Sequence, residues 1–289
     1  MPFPYTLLLL LSLFVPGIHR DNGTNPSERS GNQPGGWVVL YNGKDLTGWD
    51  RYLGPPLDDS GKALSPTPVG LNNDPQGIFG TVKQNGETLI RISGEGWGAI
   101  STKQEYADYH LQLQFKWGLA KWGQKKNKKR DSGLLYHSVG PFGADGTWMR
   151  SQEFQVQEGD TGDYWGVAGG EQDVSVTRVD SANYVYDPNG QLLPFSANSP
   201  YGRHCNKRGN PEHPSGEWNT LDLYCHGDTS VHVVNGQVVM VLYHSRQLDN
   251  GKETSLVKGK IQLQSEGAEV YYRKIRIKAL EGIPRELLK

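Results

Sequence analysis

The sequence predicts an all-β protein built as an antiparallel sandwich of two sheets. Its 289 residues include 37 Gly and 17 Pro, a composition that favours strands joined by many turns. Short segments alternate apolar and polar residues with the two-residue period of a half-buried strand. Several pairs of these segments flank an Asn-Gly dipeptide, the strongest short-range signal for a hairpin. A chain of this length is commonly a single sandwich domain.

The N-terminal residues are predicted to lie outside the folded domain. Leu7 to Val15 is an uninterrupted apolar run, too short to span a membrane and of the length of a signal-peptide hydrophobic region. Arg20 to Pro34 is polar and has no periodicity. We therefore expect a signal peptide over residues 1–20, a flexible linker over 21–34, one β-sandwich domain over 35–282 and a tail over 283–289. The expected protein is secreted or periplasmic and has no membrane span.

Hairpin and loop signals define the first part of the domain. Gly36 to Asp50 predicts a short strand, an Asn-Gly turn and a second segment that carries Trp. Leu53 to Gly80 is rich in Pro, Gly, Asp and Asn without a period, which predicts a long surface loop. Thr81 to Ile92 predicts a hairpin with an Asn-Gly tip, and Gly94 to Thr102 predicts a turn that leads into another strand.

The rest of the domain contains the most regular strands. Asp160 to Gly216 is mostly turn-forming, with brief strand-like pieces at Val174 to Val179 and Asn183 to Tyr186. A turn is the only helical signal, at Glu281 to Leu288. The other predicted strands and hairpins are His110 to Trp117, Asp131 to Val139, Ser151 to Glu158, Trp218 to His226, Val231 to Val241, Lys260 to Glu266 and Val270 to Ala279.

The segment SQEFQVQEGD, Ser151 to Asp160, carries the clearest functional pattern. Strand alternation places Phe154 and Val156 on one face and a row of hydrogen-bonding side chains on the other, namely Glu153, Gln155 and Gln157. Gln is neither a good strand former nor a solubilising charge, so this row suits a sheet face that recognises a hydroxyl-rich ligand. An ordinary solvated strand beside a wet loop is the alternative.

Two other strands repeat this apolar-in, amide-out pattern. HLQLQFKW alternates His110, Gln112, Gln114 and Lys116 with apolar residues, and KIQLQSE alternates Gln262, Gln264 and Glu266 with Ile261 and Leu263. We expect one sheet face lined by Gln, Glu, His and Trp to be the concave side that faces the ligand.

Charge and cysteine content limit the partners. Thirty Lys and Arg against 31 Asp and Glu give no global field for nucleic acid or an acidic membrane. The Lys-rich run from Lys121 to Arg130 fits a solvated loop or a mobile rim over a site. Cys205 and Cys225 are too few for a disulfide scaffold, and whether they form one bridge stays open.

Several motifs in order resemble the 3-keto-disaccharide hydrolase domain family. They include LYNGKDLTGW (Leu40 to Trp49), RDSGLLYH (Arg130 to His137), WMRSQEFQVQEGDTGDYW (Trp148 to Trp165) and VVNGQVV (Val233 to Val239). The resemblance covers roughly Gly35 to Leu280. It implies a jelly-roll sandwich of the concanavalin-A-like lectin and glucanase type, export, and cleavage of the glycosidic bond of 3-keto-glycosides.

The residues of the Glu153 strand do not match a conventional retaining glucanase. That chemistry needs two carboxyl groups about 5 Å apart, and the middle acid that glucanases of this fold carry is here an amide, Gln155. Glu158 could serve as the partner of Glu153 only if a bulge turns it onto the same face. A 3-keto sugar needs no such pair, because its carbonyl acidifies the hydrogen at carbon 2 and one base can eliminate the group at carbon 1.

The predicted catalytic residues are Glu153, His137 and Asp131, and each has a structural alternative. Glu153 or His137 would be the base, with Asp131 orienting His137. Asp131 could instead cap a turn or pair with the Lys-rich loop, and His137 could be a satisfied core histidine. The predicted substrate-binding residues are Lys116, Trp148, Arg150, Gln155, Gln157 and Trp165.

No cofactor and no metal-ligand motif is predicted, although a divalent metal ion held by His137, Asp131 and Glu153 stays open as an alternative. The expected partner is a carbohydrate, with no nucleic acid. Two competing functions remain at this stage. One is a non-catalytic carbohydrate-binding module on the same fold, and the other is a retaining glucanase.

Overall fold

The computed structural model describes residues 36–249 and 251–289, together with Met1 and the backbone of residues 32 and 33. The predicted signal peptide and most of the predicted linker therefore lie outside the described residues. The strands of the described chain are β1 (Asn32–Gln33), β2 (Trp37–Val39), β3 (Trp49–Leu53), β4 (Gly70–Leu71), β5 (Phe79–Gln84), β6 (Glu87–Ile92), β7 (Gly98–Thr102), β8 (Tyr109–Lys121), β9 (Asp131–Val139), β10 (Arg150–Gln157), β11 (Tyr164–Val167), β12 (Gly170–Arg178), β13 (Tyr184–Tyr186), β14 (Gln191–Phe195), β15 (His204–Cys205), β16 (Asn219–His226), β17 (Thr229–Val234), β18 (Gln237–Asp249), β19 (Lys252–Ser255), β20 (Lys260–Ser265) and β21 (Ala268–Ala279).

These strands form two antiparallel sheets. The small sheet has the order β15-β11-β10-β9-β20-β7-β3-β4. The large sheet runs β1-β2-β21-β8-β16-β17-β18-β12-β13, with the β5–β6 hairpin beside β21, β14 beside β12 and β19 beside β18. The predicted all-β, antiparallel two-sheet jelly-roll sandwich is confirmed.

Helical structure is limited to short 3-10 turns at Gly123–Lys125 and Arg285–Leu288 in the described ranges. None of the helical segments found there has the length and apolar character that a bilayer crossing requires.

The core lies between the two sheets and follows the sequence alternation. Phe154 and Val156 of β10 are fully buried in the same cluster as Leu111 and Leu113 of β8 and Leu263 of β20. Complete burial of such side chains contributes about 1.5–3 kcal/mol each. The inward face of β10 is therefore fixed, and its polar row must point away from the core.

The two Asn-Gly hairpins form as predicted. Asn85 and Gly86 have φ values of 50° and 80° between β5 and β6, and Asn235 and Gly236 have 48° and 79° between β17 and β18. Positive φ at both central residues is the geometry that matches the twist of a two-residue hairpin.

The structure corrects the prediction that all three amide-bearing strands share one face. Strands β10 and β20 lie in the small sheet, whereas β8 lies in the large sheet. The outward side chains of β8 therefore point to the opposite side of the sandwich, where His110 contacts Asp222 and Gln112 accepts from Arg276. Alternation predicts which residues point outward, but it does not say in which sheet a strand lies.

The region from Asp160 to Gly216 is more ordered than its turn-rich sequence predicts. Strands β11, β14 and β15 were not predicted there. Strand β11 is short and contains Gly166. A Cβ on Gly166 would overlap the carbonyl of Gly170, so close backbone approach explains that glycine. Cys205 and Cys225 are both buried free thiols, so no bridge joins them.

Candidate active site

A cavity of about 190 Å³ lies against the outward face of the small sheet. Strands β9, β10, β11 and β20 supply its floor, and the segments before β9, before β10 and before β15 supply its rim. The lining residues are Lys125, Asp131, Asp145, Trp148, Glu153, Gln155, Gln157, Trp165, Val167, Arg203, Gln264 and Glu266.

Glu153 lies in the centre of this floor. It pairs with Leu135 of β9 on one side and with Trp165 of β11 on the other. Its side chain is only 6% exposed, and among the described residues no hydrogen-bond partner holds its carboxyl group. Buried polar groups are normally paired, so an unpaired carboxyl facing a cavity indicates a group kept for a ligand.

Gly133 makes room for that carboxyl. It pairs with Gln155 across β9 and β10, and a Cβ at this position would overlap Oε1 of Glu153 and Oε1 of Gln264. Both polar atoms of the Gln264 amide are buried without a partner among the described side chains. The missing side chain of Gly133 thus lets an acid and an amide converge from strands on either side of β9.

An ion-pair cluster fills one end of the cavity. The Lys125 ammonium contacts Asp131 Oδ2 and lies 3.6 Å from Glu266 Oε1. The Gln157 amide donates to the same Asp131 oxygen at 2.6 Å, while Asp131 Oδ1 is buried and unpaired among the described residues. The Lys-rich run therefore delivers one cation into the site and is not solely a solvated loop.

Burial and mutual repulsion raise the pKa values of the cavity carboxyls. Desolvation raises the pKa of Glu153 well above its usual range, repulsion from Glu266 and Asp131 adds to the shift, and Arg203 opposes it. Desolvation and then Asp131 raise the pKa of Glu266 to about 8, against the opposing effect of Lys125. Desolvation also raises the pKa of Asp131, and Lys125 opposes that shift. Desolvation therefore disfavours the charged form of each of these carboxyls.

Two tryptophans wall the cavity. The Trp148 indole donates to the Gly98 carbonyl at 3.1 Å and stacks on Trp97 with ring centroids 6.0 Å apart. The Trp165 ring stacks on His204 at 4.3 Å, and the Arg203 guanidinium lies 5.2 Å from its centroid. Fixed aromatic faces beside acids and amides are suited to the mixed apolar and hydroxyl surfaces of a sugar ring.

Six of the nine site residues predicted from the sequence line this cavity. The structure brings together Asp131, Trp148, Glu153, Gln155, Gln157 and Trp165. It does not bring His137, Lys116 or Arg150 to them.

His137 points into the sandwich. Its Nδ1 donates to the Leu256 carbonyl at 3.0 Å, and its ring lies edge-on to Tyr109 and Tyr136. Simple alternation from Asp131 would put His137 on the cavity face, but β9 has an extra residue opposite β10 at this point and His137 has a φ of 51°. This bulge reverses the direction of the side chain. Burial lowers the pKa of His137 to about 4, so the imidazole is neutral.

Lys116 and Arg150 are engaged elsewhere. Lys116 lies on the outward face of the large sheet, 5.0 Å from the centroid of Trp218. Arg150 donates to the Ala168 carbonyl at 2.8 Å and pairs with Asp249 at 3.1 Å. Neither side chain lines the cavity.

Glu158 does not pair with Glu153. Its carboxylate forms a two-pronged contact with Arg130, at 2.9 Å and 3.1 Å, and it does not line the cavity. The retaining glucanase alternative required both acids on one face, so the structure contradicts that requirement.

Five polar or charged lining residues were not among the predicted site residues: Lys125, Asp145, Arg203, Gln264 and Glu266. Gln264 and Glu266 carried a usable signal, because KIQLQSE repeats the pattern of the Glu153 strand. Lys125, Asp145 and Arg203 come from loops, whose path a sequence period does not predict.

The residues proposed for a divalent ion do not come together. His137 is on the core side of β9, away from Asp131 and Glu153. Among the described residues, no group of three or more His, Cys, Asp or Glu side chains has a metal-binding arrangement. The positions of these side chains therefore do not fit that ligand set.

Residues 36–278 match the family model of the 3-keto-alpha-glucoside-1,2-lyase-like domain. No curated protein matches the chain.

Similar solved structures include a provisionally classified glycosyl hydrolase from Parabacteroides distasonis, at 19% identity and a TM-score of 0.46 over 85% of this chain and 94% of that one. The alginate lyase AlyC3 is similar at 13% identity and a TM-score of 0.41, over 82% of this chain and 91% of that one. The carbohydrate-binding module CBM66 from Bacillus subtilis is similar at 9% identity and a TM-score of 0.39, over 69% of this chain and 91% of that one.

Proposed function

Because the chain belongs to the 3-keto-alpha-glucoside-1,2-lyase-like domain family, we propose that it cleaves the glycosidic bond of 3-keto-glycosides by elimination between carbons 1 and 2. The observation that supports this most directly is Glu153, a desolvated carboxyl with no partner among the described residues, on the floor of a cavity with sugar-binding character. Water then adds to the product, so that the net change is hydrolysis.

The reaction needs one base and one acid. The base removes the hydrogen of carbon 2, and its electron pair forms the double bond between carbons 1 and 2 through an enolate on the carbonyl at carbon 3. The bond from carbon 1 to the glycosidic oxygen breaks, and that oxygen takes a proton from the acid. The products are an alcohol and an unsaturated 3-keto sugar, with no change of redox state. Addition of water across the double bond returns the proton to carbon 2.

Glu153 and Glu266 form a suitable acid and base pair. Repulsion from Glu266 raises the pKa of Glu153 and so opposes ionisation of both groups at once. Glu153 is the base in this proposal, because it lies in the centre of the cavity floor and no hydrogen-bond partner among the described residues holds its carboxyl group. Glu266, whose pKa is about 8, is protonated at neutral pH and supplies the proton to the leaving oxygen.

The remaining polar side chains position the substrate and stabilise the enolate. Lys125 and Arg203 are the cations of the cavity, and a cation beside the developing enolate oxygen lowers the barrier in a desolvated site. Gln155, Gln157 and Gln264 offer amide groups to sugar hydroxyls. Trp148 and Trp165 bind the apolar faces of the ring. A secreted or periplasmic location remains part of the proposal and accords with the apolar run from Leu7 to Val15.

Turnover in D₂O tests the reaction class. With 4-nitrophenyl 3-keto-glucoside we expect release of nitrophenol and one deuterium at carbon 2 of the 3-keto-glucose product, above the exchange seen without protein. Direct displacement by water at carbon 1 would give product without that deuterium and would contradict elimination. Cleavage of the unoxidised glucoside would indicate a conventional glycosidase, and binding without any cleavage would indicate a carbohydrate-binding module.

A further inference from the structure

A second and larger cavity, of about 550 Å³, lies beside the candidate active site. Its walls come from the loop after β3, the turn before β7 and the segment after β8. The loop after β3 was predicted only as a surface loop, yet it forms an ordered wall. Asp58 Oδ1 accepts from the backbone amides of Ser60 and Lys62 at 2.9 Å and 3.0 Å, and Leu57 forms a bridge with Ala63.

Glycine contacts clamp this loop against the segment after β8. A Cβ on Gly61, whose φ is 82°, would lie 2.8 Å from the backbone nitrogen of Gln124 and 3.3 Å from the Cα of Gly123. The Gln124 amide also donates to the Gly61 carbonyl at 3.1 Å. Backbone contact this close needs glycine, so Gly61 allows the loop after β3 to pack directly against the segment after β8.

The two cavities share a wall. Trp97 lines the large cavity, and it stacks on Trp148, which lines the catalytic one. Lys125 lines the catalytic cavity, and the adjacent Lys126 lines the large one. Likewise, Glu266 lines the catalytic cavity and the adjacent Gly267 lines the large one. The rim of the large cavity is thus continuous with the rim around Glu153.

The sizes of the cavities suit different parts of one substrate. The catalytic cavity is smaller than the roughly 300–1,000 Å³ that whole small-molecule ligands occupy, whereas the large one falls within that range. The lining of the large cavity also includes two tryptophans, Trp97 and Trp122, and the apolar residues Pro55 and Leu57, beside charged residues such as Lys126. Indole faces with polar groups around them bind a ring that has an apolar face and a polar edge.

We propose that the large cavity binds the aglycone of the substrate, the group attached through the glycosidic oxygen, as a ring with an apolar face. This inference rests on the proposed function, because it assigns the catalytic cavity to the 3-keto sugar ring. The ring chemistry has two sources, a phenol or a second sugar. The enzyme would therefore prefer 3-keto-glycosides with a ring-shaped leaving group over those with a small alkyl one.

Comparison of three substrates tests the preference. We expect wild-type kcat/KM for 4-nitrophenyl 3-keto-glucoside, a 3-keto-disaccharide, or both to exceed that for methyl 3-keto-glucoside by about tenfold or more. The exposed Gln76 lines the large cavity, so Gln76→Trp should fill it and raise KM for the ring-bearing substrates about tenfold. The methyl substrate should change less than about twofold. Trp122→Ala, which removes an indole face that is 38% exposed, should act in the same direction.

A matched control and a binding experiment separate this inference from the reaction. Gln191→Trp adds the same side chain at an exposed position of β14 that lines neither cavity. It should leave kcat/KM unchanged for all three substrates. Saturation-transfer NMR with 4-nitrophenol alone and with glucose alone should give a signal for at least one of them, which Gln76→Trp removes. The probe that binds identifies the aglycone class.

Two outcomes would overturn the assignment. In one, both cavity variants leave the ratio of kcat/KM for ring-bearing and methyl substrates unchanged. In the other, neither free probe binds to the folded wild-type protein. If no 3-keto-glycoside is turned over, the proposed function fails, and probe binding that Gln76→Trp abolishes still supports a ring-binding cavity.

Discussion

At the scale of single residues, the site depends on one carboxyl that the protein desolvates and leaves without a partner. Placing Glu153 in a cavity with three other acids and only two cations costs stability, because each charge loses its water. The strand alternation that buries Phe154 and Val156 forces Glu153 into the cavity, so the cost follows from the position and not from poor packing. Unpaired buried groups of this kind are characteristic of functional sites.

Replacement of Glu153 by Gln should abolish turnover and retain binding. The amide has nearly the same shape and cannot accept the proton of carbon 2, so we expect kcat to fall about 10²–10⁴-fold. Binding of a 3-keto-glycoside, measured by calorimetry on the variant, should stay within about threefold of the wild-type value. Gln155→Ala is the contrasting variant, since loss of one binding amide should raise KM more than it lowers kcat. Full activity of Glu153→Gln would remove Glu153 from the chemistry.

Glu266 should set the alkaline limb of the pH profile. As the pH rises through about 8, Glu266 loses the proton that the leaving oxygen needs, so kcat/KM should fall above that pH. In Glu266→Gln, kcat should fall for poor leaving groups and the alkaline limb near pH 8 should disappear. An unchanged alkaline limb in this variant would assign the titration to another group.

The sequence predicted these residues unevenly. Glu153, Gln155 and Gln157 could be predicted because a strand has a fixed period and its neighbours were core residues. Lys125 and Arg203 could not, since each belongs to a loop whose path depends on tertiary contacts such as the salt bridge from Lys125 to Asp131.

At the scale of elements, strand β9 lies between the two polar strands of the site. It pairs with β10 on one side and with β20 on the other, so it lies between Glu153 and Gln264. The residue of β9 at the point where these two side chains meet must therefore have no side chain. Gly133 is that residue. Near the end of the same strand, the bulge at His137 turns the imidazole into the core. The sequence predicted the extent of β9 correctly. It did not indicate the bulge, because a single extra residue leaves the apolar run from Leu134 to Tyr136 unchanged.

Gly133→Ala should damage catalysis through position. Its Cβ overlaps the oxygens of Glu153 and Gln264, so those side chains must move away from the place where they meet the substrate. We expect kcat to fall about 10–100-fold, and overpacking should cost about 1–3 kcal/mol of unfolding free energy. Gly80→Ala in β5 is the matched control, because no atom lies within 4 Å of its added Cβ and its φ is not positive. Wild-type kinetics in folded Gly133→Ala would show that Glu153 needs no such clearance.

At the scale of the whole molecule, the two sheets have different outward faces. The small sheet presents acids, amides and indoles around the cavity of the candidate active site, whereas the outward side chains of the large sheet contact one another. Arg276 lies 4.4 Å from the ring centroid of Trp37, and Arg273 lies 3.9 Å from that of Trp218. Both patterns read as amide-out strands in the sequence, so the fold class was predictable while the assignment of β8 to the opposite sheet was not.

Buried histidines should make the whole fold sensitive to acid. Burial lowers the pKa of His137 to about 4 and that of His232 to about 3, from an ordinary value of 6.5. Since both folded-state pKa values lie below the unfolded one, their contribution to stability is complete above pH 6.5 and is lost as the pH falls toward 3–4. Each imidazole should cost on the order of 3 kcal/mol of unfolding free energy by pH 4.

His137→Asn separates this structural role from a catalytic one. Asn tolerates the positive φ of this position and carries no titrating group, so chemical denaturation between pH 7 and pH 4 should show a loss of unfolding free energy smaller than the wild-type loss by on the order of 3 kcal/mol. Turnover of a 3-keto-glycoside at pH 7 should stay within about threefold of wild type, because His137 faces Tyr109 and Tyr136 and not the cavity. A folded His137→Asn that had lost turnover at pH 7, with an unchanged pH dependence of stability, would return His137 to the chemistry and imply that β9 straightens when the substrate binds.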